Sequence, residues 1–315
     1  MGRSEATHSF NGGNLILADR DRDMMATLRD VLAKRGFERP VLTDRLTDVA
    51  EATRERMPDL VICDADAEDG GFTRIVSDTR EGLHGENPYL VTVGITADPD
   101  AENIRRLIDA GVDCILLRPF SVNTLLDRIS SLVHRRKDFA VTSSYIGPDR
   151  RVRPRQEVCL PLIRVPNTLA DRANNRYDPG RLKEQIALAN RTVNRQRTCQ
   201  DAVLVMQIVE KLGPLFETLR LEDSQRHYLA QLDRTARDIA ARMEESADSR
   251  HVAGLCHSLV QVTDRLKTTE TVVDPKDVSL LRDVALAVSM AFDRKSGDGV
   301  SQEIAAAISG AQRFG

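Results

Sequence analysis

Tryptophan is absent from the 315 residues, and aromatic residues of any kind make up only 4%. That scarcity argues against reading single-stranded nucleic acid by base stacking, which needs exposed aromatic platforms. Cysteine is sparse and scattered: Cys63, Cys114, Cys159, Cys199 and Cys256 are odd in number and show no metal-ligand spacing. They read as reduced thiols, mostly buried, and exclude both a disulfide framework and a zinc site. No apolar run approaches the roughly 18–20 residues of a membrane span. Residues 1–13 are polar and lack the apolar core of a secretory leader, so a disordered tail and a cytoplasmic location are expected. Gly12-Gly13 and Gly70-Gly71 lack the lysine context of a phosphate loop, and no Glu-x-x-His pairs stand at helical spacing for a di-iron bundle.

What is present points to two domains, as the length allows. Residues 1–133 carry 16 basic and 24 acidic side chains, residues 134–155 carry seven and two, and residues 179–315 carry 19 of each. The first third contains four apolar runs, Leu15-Ile16-Leu17-Ala18, Leu60-Val61-Ile62-Cys63, Leu90 to Ile95 and Cys114 to Leu117. Continuous runs, as opposed to alternating ones, mark strands covered on both faces, and the helical stretches between them imply a parallel β/α repeat. Chemistry in such sheets gathers at the carboxyl ends of the strands. Those ends carry Asp19, Asp64, Thr96 and Arg118.

This constellation resembles the receiver domain of two-component response regulators over roughly residues 14–134, and the domain is expected to span 14–136. Asp19 matches the first acid of the family's acidic pair, Asp64 the phosphoacceptor and Thr96 the switch hydroxyl. Arg118, in Arg118-Pro119-Phe120, stands where the family has lysine. Ala110-Gly111-Val112-Asp113 and Pro58-Asp59-Leu60-Val61 match two further stretches. The resemblance implies a doubly wound, flavodoxin-like sheet of five parallel strands.

The departures concern the chemistry. Arg20 replaces the acid that binds Mg²⁺ in the family, Arg118 replaces the lysine, and the switch aromatic reads as Ile115. Phosphoryl transfer to a carboxylate needs a cation held by oxygen ligands, and an arginine repels that cation while supplying a guanidinium suited to carboxylates. An atypical receiver is therefore expected, with no cofactor and Asp64 ion-paired to Arg118 or Arg20. The alternative is a conventional regulator phosphorylated on Asp64, with Mg²⁺ on Asp19 and Asp64 and help from Asp21, Asp23, Asp66 or Glu68.

Residues 137–177 read as a basic, proline-containing linker, part of it an apolar strap around Val158 to Val165. Its basic arm, Arg150, Arg151, Arg153 and Arg155, reads as solvated and available to a partner. Arg151-x-x-x-Arg155 resembles the opening motif of PilZ domains, but the second motif does not follow. Residues 178–315 read as an all-α helical bundle. Asp178-Pro179 and Asp274-Pro275 are cap-plus-proline starts, and Leu229, Leu232, Ile239 and Met243 form one of several three-four seams. The first helix, Pro179 to Leu212, is long enough that a second copy of the chain is expected to cover its excess apolar length. Leu255-Cys256-His257-Ser258-Leu259 resembles the centre of histidine phosphotransfer domains, without the lysine that follows there. The near-neutral helical half argues against nucleic acid. The expectation is a non-enzymatic signalling protein, homodimeric, that works through protein–protein contacts.

Overall fold

A computed structural model of the chain describes residues 9–38, 40–151, 161–213, 223–244, 250–268 and 273–292. The apolar runs form strands β1 (Leu15–Ala18), β3 (Leu60–Asp64), β4 (Val91–Thr96) and β5 (Cys114–Leu117), with the short β2 (Val41–Thr43) at one edge. All pair in parallel in the order β2-β1-β3-β4-β5. Successive side chains point to opposite faces of a strand. Leu15, Leu17, Ile62 and Val93 accordingly pack with helices α1 (Arg22–Ala33) and α5 (Val122–Arg135). Ile16, Val61 and Cys63 pack with α2 (Leu46–Arg56), α3 (Gly71–Arg80) and α4 (Ala101–Asp109). Both faces being covered explains why the strands read as unbroken apolar runs. The fold is a doubly wound parallel sheet followed by a helical region.

The sheet unit extends further at both ends than the sequence suggests. Phe10 lies in the expected tail, yet it is buried and stacks on Phe37 with ring centres 4.8 Å apart. A large apolar ring so close to the sheet is drawn into its core, so residues 9–13 belong to the fold. The expected linker is also structured. Strands β6 (Phe139–Val141) and β7 (Ile146–Pro148) pair antiparallel, and Ile163 exchanges two backbone hydrogen bonds with Phe139. Helix α6 (Thr168–Ala173) buries Leu169 in the same core as α1 and α5. Of the predicted strap, Val158 to Val165, residues 158–160 lie outside the described residues, as do residues 152–157 of the basic arm before it. Gly111, at φ +84°, lets β7 approach: a Cβ there would stand 2.6 Å from the Ile146 carbonyl oxygen.

Helix α7 spans Pro179–Leu212, and the Asp178 carboxylate caps it by accepting the Arg181 N–H at 2.8 Å. The chain divides into two compact units between Val193 and Asn194, inside this helix and not at residue 178. Leu182, Ile186, Ala189 and Val193 are buried with Tyr89, Phe139, Val141, Ile146 and Ile163 in the first unit, and the Tyr89 hydroxyl donates to Asn190 Oδ1 at 2.7 Å. Val205, Ile208, Val209 and Leu212 are buried in the second unit with α8 (Asp223–Glu244), α9 (Arg250–Thr268) and α10 (Pro275–Phe292). The apolar length that motivates a second copy is thus largely covered by the chain itself. The predicted last helix, residues 300–312, lies outside the described residues.

Candidate functional site

Because parallel strands all point one way, the ends of β1, β3, β4 and β5 bring Asp19, Asp64, Thr96 and Arg118 to one edge of the sheet. Arg118 does not take Asp64 as its partner. Its Nη2 lies 2.5 Å from Asp19 Oδ2, while the Asp21 N–H donates to Asp19 Oδ1 at 2.9 Å. The Asp19 side chain is 1% exposed. A charge buried that deeply is costly without a counter-charge, so the guanidinium goes to the deeper carboxylate. Arg20 is exposed and forms no ion pair among the described residues. The expected Asp64–arginine pair is therefore replaced by Asp19–Arg118.

Asp64 is buried and accepts the Asp66 N–H at 3.1 Å. Burial pushes its carboxyl above the usual range, helped by the adjacent Asp19 charge and opposed by the Asp66 N–H and Arg118. Both Asp19 oxygens already hold a donor, one of them a guanidinium, and the position expected to bind Mg²⁺ is Arg20. These residues do not fit the magnesium ion that the receiver resemblance implies.

Asp66 does more than its place in the loop suggests. It begins the turn into a 3₁₀ segment, Ala67–Gly70, and its carboxylate points back across the sheet edge. The fully buried Thr96 hydroxyl donates to Oδ1 at 2.5 Å, and the Ala97 N–H donates to Oδ2 at 2.7 Å. Asn103 Nδ2 donates to Thr96 Oγ1 at 3.0 Å, as does the Asp98 N–H. The Thr96 hydroxyl is thus enclosed by donors on one side and a carboxylate on the other.

A second polar cluster lies at the amino end of β5. Asp113, with its side chain fully buried, receives Arg80 at 2.9 Å and Arg136 at 2.7 Å. Burial works against its charge, yet Arg136 and Arg80 together hold the carboxyl below its usual range. Both guanidinia lie 5.2 Å from the centre of the Phe139 ring. Arg80 also donates to the Pro88, Leu90 and Gly111 carbonyls, and Arg136 to those of Tyr89, Leu90 and Pro166. This cluster joins α3, β4, β5, α5 and the segment after it. Asp113 was visible only as part of a turn motif, and Arg80 and Arg136 carried no signal at all.

The basic arm is divided. Arg150 is half-buried and donates from Nη2 to the Val112 and Asp113 carbonyls at 2.5 and 2.8 Å, which corrects the solvated reading for this residue. Carbonyls at the start of an edge strand lack donors from the sheet, and the fork of an arginine reaches two at once. Arg151 is exposed and pairs with Asp149 at 2.7 Å; Arg153 and Arg155 lie outside the described residues. His257 is exposed on α9 and faces Glu244 at 3.5 Å.

No family model matches the chain. It is 27% identical over 137 residues to the transcriptional regulatory protein PrrA of Mycobacterium bovis, of Mycobacterium tuberculosis and of Mycobacterium leprae. Each match covers 42% of this chain, and the chain spans 57% of the length of these curated relatives. With the five-stranded parallel sheet, this similarity supports a receiver domain of the response-regulator kind. No helix among the described residues is long and apolar enough to cross a membrane.

Proposed function

We propose that the sheet unit is an atypical receiver whose state does not depend on phosphorylation, and that the protein is a non-enzymatic signal-transduction regulator acting through protein contacts. The observation that carries this reading is the Asp66 carboxylate on the Thr96 hydroxyl and the Ala97 N–H. The donors that an incoming phosphoryl group would use at this edge already hold an anion from the same chain. Arg118 is likewise held by Asp19. The contact face is the outer side of β5 and the start of α5. There a recess of about 600 Å³ is lined by Ile115, Leu117, Pro119, Phe120 and Thr124, and Leu117 is 45% exposed beside an edge strand.

The test is treatment of the full chain with acetyl phosphate and Mg²⁺, followed by intact mass and peptide mapping. The expected result is no Mg²⁺-dependent phosphorylation of Asp64, with the Asp64→Asn variant as blank. Stoichiometric labelling of Asp64 that alters partner binding would establish the second reading, a conventional regulator. That reading draws on the burial of Asp64 beside Asp19 at the expected strand ends. The name of the relatives raises DNA as the target; the balanced charge of residues 179–315 favours a protein partner. Retention of DNA fragments by the full chain at physiological salt would decide for DNA.

A further inference from the structure

Away from the Asp19–Asp64 edge, the first unit has a recess of about 310 Å³ between the second half of α5, the start of β5 and the end of β7. Its lining is unusually cationic. Arg128, Arg135 and Lys137 stand on its rim, exposed, and Arg136, its side chain 5% exposed, and the half-buried Arg150 form its wall. The acid that lines it, Asp113, is already neutralised by Arg80 and Arg136. Asp149 lies near Lys137 but is engaged by Arg151 at 2.7 Å.

The side chains of Arg128, Arg135 and Lys137 make no hydrogen bond or ion pair among the described residues. Arg150 adds an independent observation: its Nε is buried and has no hydrogen-bond partner among the described residues. The recess therefore presents more donors and more positive charge than the described residues around it supply acceptors. Like charges gathered in a concave site focus a positive potential and are relieved by an anion. Ser131 adds a hydroxyl, and Ile115, Leu132 and Pro148 give part of the floor an apolar character. Burial raises the Cys114 thiol on that floor, while the Arg128 and Arg150 charges pull it back.

We propose that this recess binds a small phosphate-bearing molecule, its phosphate held by Arg128, Arg135 and Lys137 and its uncharged part resting on Ile115, Leu132 and Pro148. Arginine forks match phosphate oxygens in pairs, and a recess of about 310 Å³ matches the size of a small phosphate ester. The site is separate from the Asp64 edge, so it stands whether or not Asp64 is phosphorylated.

The experiment is calorimetric titration of the full chain with pyrophosphate at low ionic strength, against KCl of equal ionic strength. A double variant, Arg128→Gln with Arg135→Gln, removes two exposed cations that hold no partner, so its circular dichroism should match the native protein. The expected result is saturable pyrophosphate binding, weakened at least tenfold in the double variant and unchanged in Arg74→Gln, an exposed arginine on α3. Three outcomes would overturn the proposal. Pyrophosphate could give no more heat than KCl, the double variant could bind as tightly as native protein, or Arg74→Gln could weaken binding equally. An acidic peptide that binds the site and resists displacement by pyrophosphate would also reject a small phosphate ligand.

Discussion

At the scale of single residues, the receiver edge is organised by which carboxylate each donor takes. Arg118 neutralises Asp19, so removing either partner strands a charge. With the Arg118 side chain 23% exposed, Arg118→Met should cost toward the lower end of the ~3–5 kcal/mol typical of a broken buried pair. Asp64 forms no ion pair among the described residues and feels Arg118 only at longer range, so Asp64→Ala should cost clearly less. Urea unfolding of the two variants side by side checks this order, and equal losses would mean that Asp64 shares the guanidinium. Asp113 is the more severe case. Asp113→Asn leaves Arg80 and Arg136 facing each other without a counter-charge, so a loss of at least ~3–5 kcal/mol is expected. The same titration should show a first unit unfolded or nearly so.

Among the elements, α7 is the one whose role changes most between sequence and structure. Its first half is buried against Tyr89, Phe139 and Ile163. Ile186→Ala should therefore destabilise the sheet unit by about 2–5 kcal/mol, and Tyr89→Phe by about 0.5–1.5 kcal/mol through the lost Asn190 bond. Backbone amide exchange in β4 and β6 would report both; unchanged protection there would place Ile186 outside that core. The helix's start was legible because Asp178 and Pro179 are local signals. So were the strands, and with them the meeting of Asp19, Asp64, Thr96 and Arg118, because parallel strands align their ends whatever the side chains do. Which partner each side chain chooses was not legible. Thr96 meets Asp66 across thirty positions, and Arg80 meets Asp113 across thirty-three. An amphipathic pattern likewise says that Ile186 is buried, but not in which core.

For the molecule as a whole, two cores in one chain should be distinguishable by how protons act on them. In the second unit Asp201 is buried beside Arg242, and burial pushes its carboxyl from 3.8 up to about 6, in spite of that arginine. The folded unit therefore holds this proton more tightly than the unfolded chain. Its contribution is fully present below pH 4 and is lost as pH rises through 6. Calorimetry between pH 4 and 7 should show one transition losing stability across that window, and Asp201→Asn should flatten its slope. A slope unchanged in that variant would assign the effect to other carboxylates. The clasp of Asp66 on Thr96 and Ala97 has its consequence at this scale too. Under the proposed function, a receiver whose anion is written into its own gene has no duty cycle for a kinase to set; its message would then be carried by abundance, and its clock would be the rate at which the cell makes and destroys the protein.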